Sequence, residues 1–183
     1  MSELYCCKCA AKCVTSIIHG EMRENCPNCG FVYYRNPAPA ISVILIDGEK
    51  IVLGKRADSG KWGLPCGYIE YGESFVHAAV KEVKEEVGID CEPLKIINVV
   101  SNSLFSKISS VVIVITARPL SFELIADNIE TTDAKWFDIT GLLPELEFDA
   151  DKYIIEKLKQ SLLSHNEISG ILLADRQTNF TQL

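Results

Sequence analysis

Three glutamates, Glu82, Glu85 and Glu86, stand at i, i+3 and i+4 in the run Lys81-Glu82-Val83-Lys84-Glu85-Glu86. On a helix this spacing puts three carboxylates on one side, within reach of a common point. Alone, such a run is an ordinary solvated face, because like charges so spaced cost only about 0.2–0.5 kcal/mol per pair. The residues ahead of it change the reading. Trp62-Gly63-Leu64-Pro65-Cys66-Gly67 is a strand-like approach with a Gly- and Pro-bearing turn, a backbone that can come close to a ligand. Glu70 and Glu73 add carboxylates at the helix start. Carboxylates together with a backbone carbonyl are the oxygen ligands that hard Mg²⁺ or Mn²⁺ prefers.

A second group of residues with chemistry lies near the N-terminus. Six of the eight cysteines fall in the first 29 residues. In a reducing compartment that clustering points to metal rather than disulfides. Cys6-x-x-Cys9 and Cys26-x-x-Cys29 form two knuckles separated by 16 residues, each offering two thiolates to a tetrahedral Zn²⁺. Cys7 and Cys13 compete for places in this set, since Cys9-x3-Cys13 is also an acceptable spacing. Zinc binding contributes about 10–16 kcal/mol in finger peptides, enough to fold a stretch too small for a core of its own.

The elements that must position these groups follow from periodicity. Phe75, Ala78, Ala79, Val83 and Val87 predict a helix with one core-facing stripe, started by Ser74 and stopped by Gly88. Ala40 to Ile46 and Lys50 to Arg56 read as a hairpin turning at Asp47-Gly48-Glu49, after a rigid linker Pro37-Ala38-Pro39. Its second strand ends in Lys55 and Arg56, which either meet phosphates or are solvated strand-end charges. Leu94 to Ser101 and Ile108 to Arg118 read as strands joined by a short polar connection, Asn102 to Lys107, the second strand apolar enough to be central. Phe122 to Thr132 is an acidic loop, Ala134 to Phe137 a strand, and Leu142 to Phe148 its exit. Tyr153, Ile154, Ile155, Leu158 and Leu162 predict an amphipathic closing helix over Ala150 to Leu163, broken at Ser164-His165-Asn166. The tail from Ile168 carries no chemical motif.

Gly67, Glu73 and Lys81-Glu82-Val83-Lys84-Glu85-Glu86-Val87-Gly88-Ile89 resemble the Nudix box, Gly-x5-Glu-x7-Arg-Glu-apolar-x-Glu-Glu-x-Gly-apolar. Lys81 stands where that pattern has Arg, keeping the charge but not the planar two-point grip on a carboxylate. Cys66 stands where relatives often have Gly. Tyr5 to Pro37, with CCKC, HGEMRENCPNCG and Tyr33-Tyr34-Arg35-Asn36-Pro37, is similar to the zinc ribbon that precedes the Nudix domain in one branch of the family. That ribbon usually has Gly where this chain has Ala10. The resemblance implies an α/β/α sandwich with a mixed sheet behind a small zinc ribbon. It implies Mg²⁺- or Mn²⁺-dependent cleavage of a nucleoside diphosphate-X substrate, with Glu82, Glu85, Glu86 and the Cys66 carbonyl as metal ligands. Lys55, Arg56 and Glu73 would lie near the substrate. Glu130, about six residues before Trp136, matches a further metal ligand or the base, with Asp133 or Glu85 as alternatives. The resemblance to the ribbon-bearing branch suggests ADP-ribose, FAD or NADH as the substrate. The absence of a Ser-Gln-Pro-Trp-Pro-Phe-Pro stretch favours the first two. A catalytically weak nucleotide sensor, its ribbon contacting protein or RNA, is the alternative.

Composition bounds the rest. The chain has 183 residues, 48% of them hydrophobic, a net charge of −7 and a pI near 5.0. That balance argues against a general nucleic-acid or anionic-membrane binder. The N-terminus has no signal-peptide pattern, and no apolar run approaches the roughly 20 residues of a spanning helix, so a cytoplasmic protein is expected. The expected organisation is a ribbon over 1–36, a Nudix domain over 37–163 and a tail over 164–183, with a homodimer as one possible assembly.

Overall fold

The structure, a computed structural model, describes residues 3–102, 109–164 and 170–172. The connection between the strands ending and starting at Asn102 and Ser110, His165-Asn166, and most of the tail lie outside the described residues. The chain divides into two compact units, Met1–Pro37 and Ala38–Leu183.

The first unit is a two-stranded antiparallel sheet, β1 (Val14–Ile18) and β2 (Glu21–Asn25), flanked by two knuckles built alike. In each, the amide of the residue after the second cysteine bonds back to the first cysteine's carbonyl: Ala10 to Cys6 at 2.8 Å and Gly30 to Cys26 at 3.0 Å. Closing these turns requires a left-handed backbone, φ 57° at Ala10 and 74° at Gly30. Gly30 adopts it without penalty, whereas the Ala10 methyl crowds the next carbonyl.

The second unit is organised around β3 (Ala38–Asp47), whose two edges carry different partners. One edge runs parallel to β8 (Ser110–Pro119) along eight residue pairs. The other pairs antiparallel first with β6 (Cys66–Tyr68) and then, at its far end, with β4 (Lys50–Arg56). The expected hairpin is therefore real only at its turn, where Ile46 faces Ile51 and Asp47 faces Lys50. Beyond that, β4 leaves β3 to pair with β5 (Trp62–Gly63) and β9 (Thr131–Asp138). Pro37-Ala38-Pro39 is likewise not a simple linker. Ala38 and Pro39 already pair with Ser110 and Val111, and Pro39 occupies a place in a strand where an N–H is not needed. β7 (Cys91–Asn102) begins earlier than its apolar pattern suggests, with a register shift beside Pro93, and β8 lies inside the sheet between β7 and β3. A short β10 (Ile171–Leu172) pairs with β7.

One helix covers each face. α1 (Phe75–Val87) packs Ala78, Ala79, Val83 and Val87 on Ile41, Val43 and Leu45 of β3. α2 (Asp149–Leu163) packs Ile154, Ile155 and Leu158 with Ile44, Ile51, Leu53 and Val114. The alternation of β3 thus feeds two cores, which is the expected α/β/α sandwich on a mixed sheet. Trp136 packs against the α1-side core. Among the described residues, no helix is long and apolar enough to cross a membrane.

Candidate active site

The geometry starts at the caps of α1. Ser74 accepts the His77 amide at 3.1 Å, and Gly88, at φ 78°, sends its amide to the Lys84 carbonyl. These caps fix the rotation of the helix, so Glu82 and Glu86 are buried against the loop that enters it. The Cys66 amide donates to Glu86 Oε2 at 3.4 Å. Gly67 meets Glu82 so closely that a Cβ there would overlap the carboxyl carbon and both oxygens. This contact explains the glycine: its neighbour's carboxylate occupies the volume of a side chain.

Lys81, in the place of Arg, bridges Glu73 Oε2 at 3.4 Å and Glu82 Oε1 at 3.2 Å. Glu73 also accepts the Glu70 amide at 3.1 Å and contacts His77 Nδ1 at 2.9 Å. The Glu70 N–H, then His77 and Lys81, hold its carboxyl below the usual range. Both Glu73 oxygens are thus engaged by the loop and the helix, and Glu73 is not among the residues that line the cleft of Glu82, Glu85 and Glu130.

Glu82, Glu85 and Glu130 line one cleft of about 460 Å³, with Arg56, Cys66 and Asp151. Glu86 sits behind them at the Cys66 amide. Burial, then the charges of Glu82 and Glu130, push the Glu86 carboxyl up to about 8 despite the Cys66 N–H. Burial also raises Glu82 against the pull of Lys81. These carboxylates do not close on a common point. Among the described residues, only the four cysteines bring three or more metal-ligating atoms within 4.8 Å of one another. Two carboxyls raised chiefly by burial, Glu82 and Glu86, beside further carboxylate oxygens make an all-oxygen lining that fits a hard divalent cation.

The other expected residues separate. Arg56 lines the cleft, gripped by Asp58 through Nε at 3.0 Å and an Nη at 2.8 Å, with its guanidinium over the Phe148 ring. Lys55 lies across a register break from Arg56, opposite Trp62 and Asp133, and does not line the cleft. Glu130 does, held by its amide on Asp127, while Asp133 pairs with Lys135 away from it.

Asp151 was invisible to the sequence pattern. It enters from the first turn of α2, buried, and accepts the Leu64 amide at 3.1 Å. Burial pushes it up to about 6, opposed by that amide and by Arg56. It therefore ties α2 to the bend that delivers Cys66 and Gly67 to the glutamates. The expected helix, Ala150 to Leu163, contained Asp151, but apolar spacing says nothing about which acid of the first turn is buried.

In the first unit, the sulfurs of Cys6 and Cys29 are 3.5 Å apart and those of Cys9 and Cys26 3.4 Å, and all four form one group within 4.8 Å. Zn–S bonds of about 2.3 Å in a tetrahedron need sulfurs near this separation. The Ala11 N–H lowers the Cys9 thiol to about 6. The Phe31 N–H favours a Cys29 thiolate, yet the neighbouring sulfurs push it up to about 12. A cation relieves that conflict. Cys7 is exposed and Cys13 stands outside the group. The Tyr33 hydroxyl accepts the Cys7 amide and donates to the Tyr5 carbonyl, so this tyrosine ties the first knuckle down.

The NUDIX domain family matches residues 36–158. The chain belongs to this family. It is similar to the NAD-capped RNA hydrolase NudC of Stutzerimonas stutzeri, 31% identical over 141 residues, covering 75% of this chain and 50% of that protein. The chain thus spans about half the length of the curated relatives it matches. Among solved structures, a NUDIX hydrolase from Nitrosomonas europaea superposes with a TM-score of 0.78 at 27% identity, covering 91% of this chain and 95% of that one. An ADP-ribose pyrophosphatase from Streptococcus suis does so with 0.58 at 25%, covering 74% and 96%.

Proposed function

We propose that this protein hydrolyses the diphosphate linkage of nucleoside diphosphate-X compounds, releasing a nucleoside monophosphate, with Mg²⁺ or Mn²⁺ as the cofactor. The observation that supports it is the buried carboxylate pair, Glu82 and Glu86, held against Gly67 and Cys66 with Glu85 and Glu130 on the same cleft. Glu82, Glu85, Glu86 and the Cys66 carbonyl would hold the cation. The chemistry a divalent cation supplies in such a site is neutralisation of diphosphate oxygens and acidification of water. Lys81 keeps Glu82 in place, and its shared grip on two carboxylates replaces the planar fork of an arginine. Arg56, braced by Asp58 and Phe148, donates to a phosphate oxygen. Glu130 takes the proton of the attacking water, since it faces the cleft and Asp133 does not. The first unit holds one zinc through Cys6, Cys9, Cys26 and Cys29 and serves as a folding staple.

The substrate carries a nucleotide on one side of the bridge. ADP-ribose, FAD and NADH remain the first compounds to test, and the names of the curated relatives add NAD-capped RNA. Chromatography of products after incubation of this panel with Mg²⁺ names the substrate. Glu85→Gln and Glu86→Gln should each lower metal-dependent release of nucleoside monophosphate by about 10³-fold or more. Turnover at the wild-type rate in both variants would refute the assignment.

A further inference from the structure

The cleft floor extends away from the carboxylates, across β6, β3, β8 and β7. Tyr68, Ala40, Val112 and Val100 are consecutive register partners on these four strands, and all four line the cleft. Adjacent strands lie about 4.8 Å apart, so this row is roughly 14 Å long. The row exists because β3 presents small residues here. On the face toward α2 it carries Ala40 and Ser42, then Ile44 and Ile46. The large pair packs under α2, while the small pair leaves space where that helix begins.

Ser42 supplies the second observation. Its residue is only 5% exposed, it lines the cleft, and its hydroxyl has no hydrogen-bond partner. A buried hydroxyl without a partner is unfavourable, and such groups in native proteins call for a reason. At the cleft's rim Tyr68, 49% exposed, offers an aromatic face that packing does not consume.

We propose that this floor is the subsite for the planar heteroaromatic ring of the substrate, its polar edge bonded to the Ser42 hydroxyl and its face against Tyr68. The inference rests on the diphosphatase reading and adds to it where the ring lies. Flatness follows from a sheet surface lined by a methyl and two valines. The demand for a hydrogen-bonding edge follows from the serine, so a plain hydrocarbon leaves the hydroxyl as it was. Adenine and nicotinamide share this chemistry, and either can come from the same dinucleotide.

The test is equilibrium titration of the full chain with AMP, nicotinamide mononucleotide and ribose 5-phosphate. All three carry a ribose 5-phosphate, and only the first two carry a heteroaromatic ring. At least one ring-bearing compound should bind about tenfold more tightly than ribose 5-phosphate, the scale of one aromatic stacking partner. The tighter of the two identifies the ring. Ser42→Ala and Tyr68→Ala should each shrink that gain severalfold, and Ser42→Ala should leave the melting temperature unchanged or raise it. Equal binding of all three compounds by the wild type overturns the proposal. So does a gain that survives either substitution, a loss common to all three ligands, or a lowered melting temperature in Ser42→Ala. Because binding is read without turnover, a protein that binds the ring but cleaves no diphosphate refutes the hydrolase reading instead.

Discussion

Gly67 shows how much one missing side chain can decide. The Glu82 carboxylate occupies the volume a Cβ would take, so Gly67→Ala must displace the acid, the loop, or both. Misplacement by about 1 Å is enough for a loss of roughly 10²-fold in rate. Steady-state turnover should fall by that order, and the melting temperature should fall as well, because the clash displaces a buried acid paired with Lys81. Asp151 makes a different prediction. Its folded value of about 6 lies above the ordinary 3.8, so folding favours the protonated acid. The resulting stability is complete below about pH 3.8 and is lost as pH rises through 6. Asp151→Asn keeps an acceptor for the Leu64 amide but does not ionise in the presence of Arg56 and Cys66. Its stability relative to wild type should therefore grow by up to about 3 kcal/mol between pH 4 and pH 7, measured by urea unfolding. At this scale the sequence was readable where chemistry repeats at short range. Glu82, Glu85 and Glu86 are neighbours on one helix. Asp151, 87 positions from the amide it holds, was not readable, because nothing local marks a contact of that separation.

Among the elements, α1 was fully legible, since its stripe, Ser74 and Gly88 are all local signals. The strands were legible as extended segments but not as partners. Asp47-Gly48-Glu49 announced a hairpin correctly, yet it could not say that the strands part after two residue pairs. The prolines misled in both directions: Pro39 looked like linker and Pro93 hid the start of β7. The knuckles repay the same scrutiny. Ala10 occupies a left-handed position that Gly30 fills in the matching turn. Ala10→Gly should relieve about 1 kcal/mol of crowding. Competition against a chelator should then show zinc affinity several-fold higher than in the wild type.

For the whole molecule, two units of different economy share one chain. The second has two hydrophobic cores separated by its sheet. The first has a two-stranded sheet, which is marginal on its own, and four converging thiols. Metal analysis of protein purified without chelator should find one zinc per chain, and Cys26→Ser should lower it to near zero. Hydrogen exchange should show amide protection lost through residues 3–36 in that variant. Zinc content that survives the substitution would move the ligand set to Cys7 or Cys13.

The placement of β3 has a consequence for synthesis. Its parallel partner β8 is emitted from the ribosome more than sixty residues later, after α1 and β7 have left the tunnel. Until then one edge of the buried run Ile41 to Leu45 lacks its mate. Pairing at such sequence distance is slow, and unpaired edges attract other chains. Chains arrested before Ser110 should thus depend on a chaperone, and arrest beyond Pro119 should release them from it.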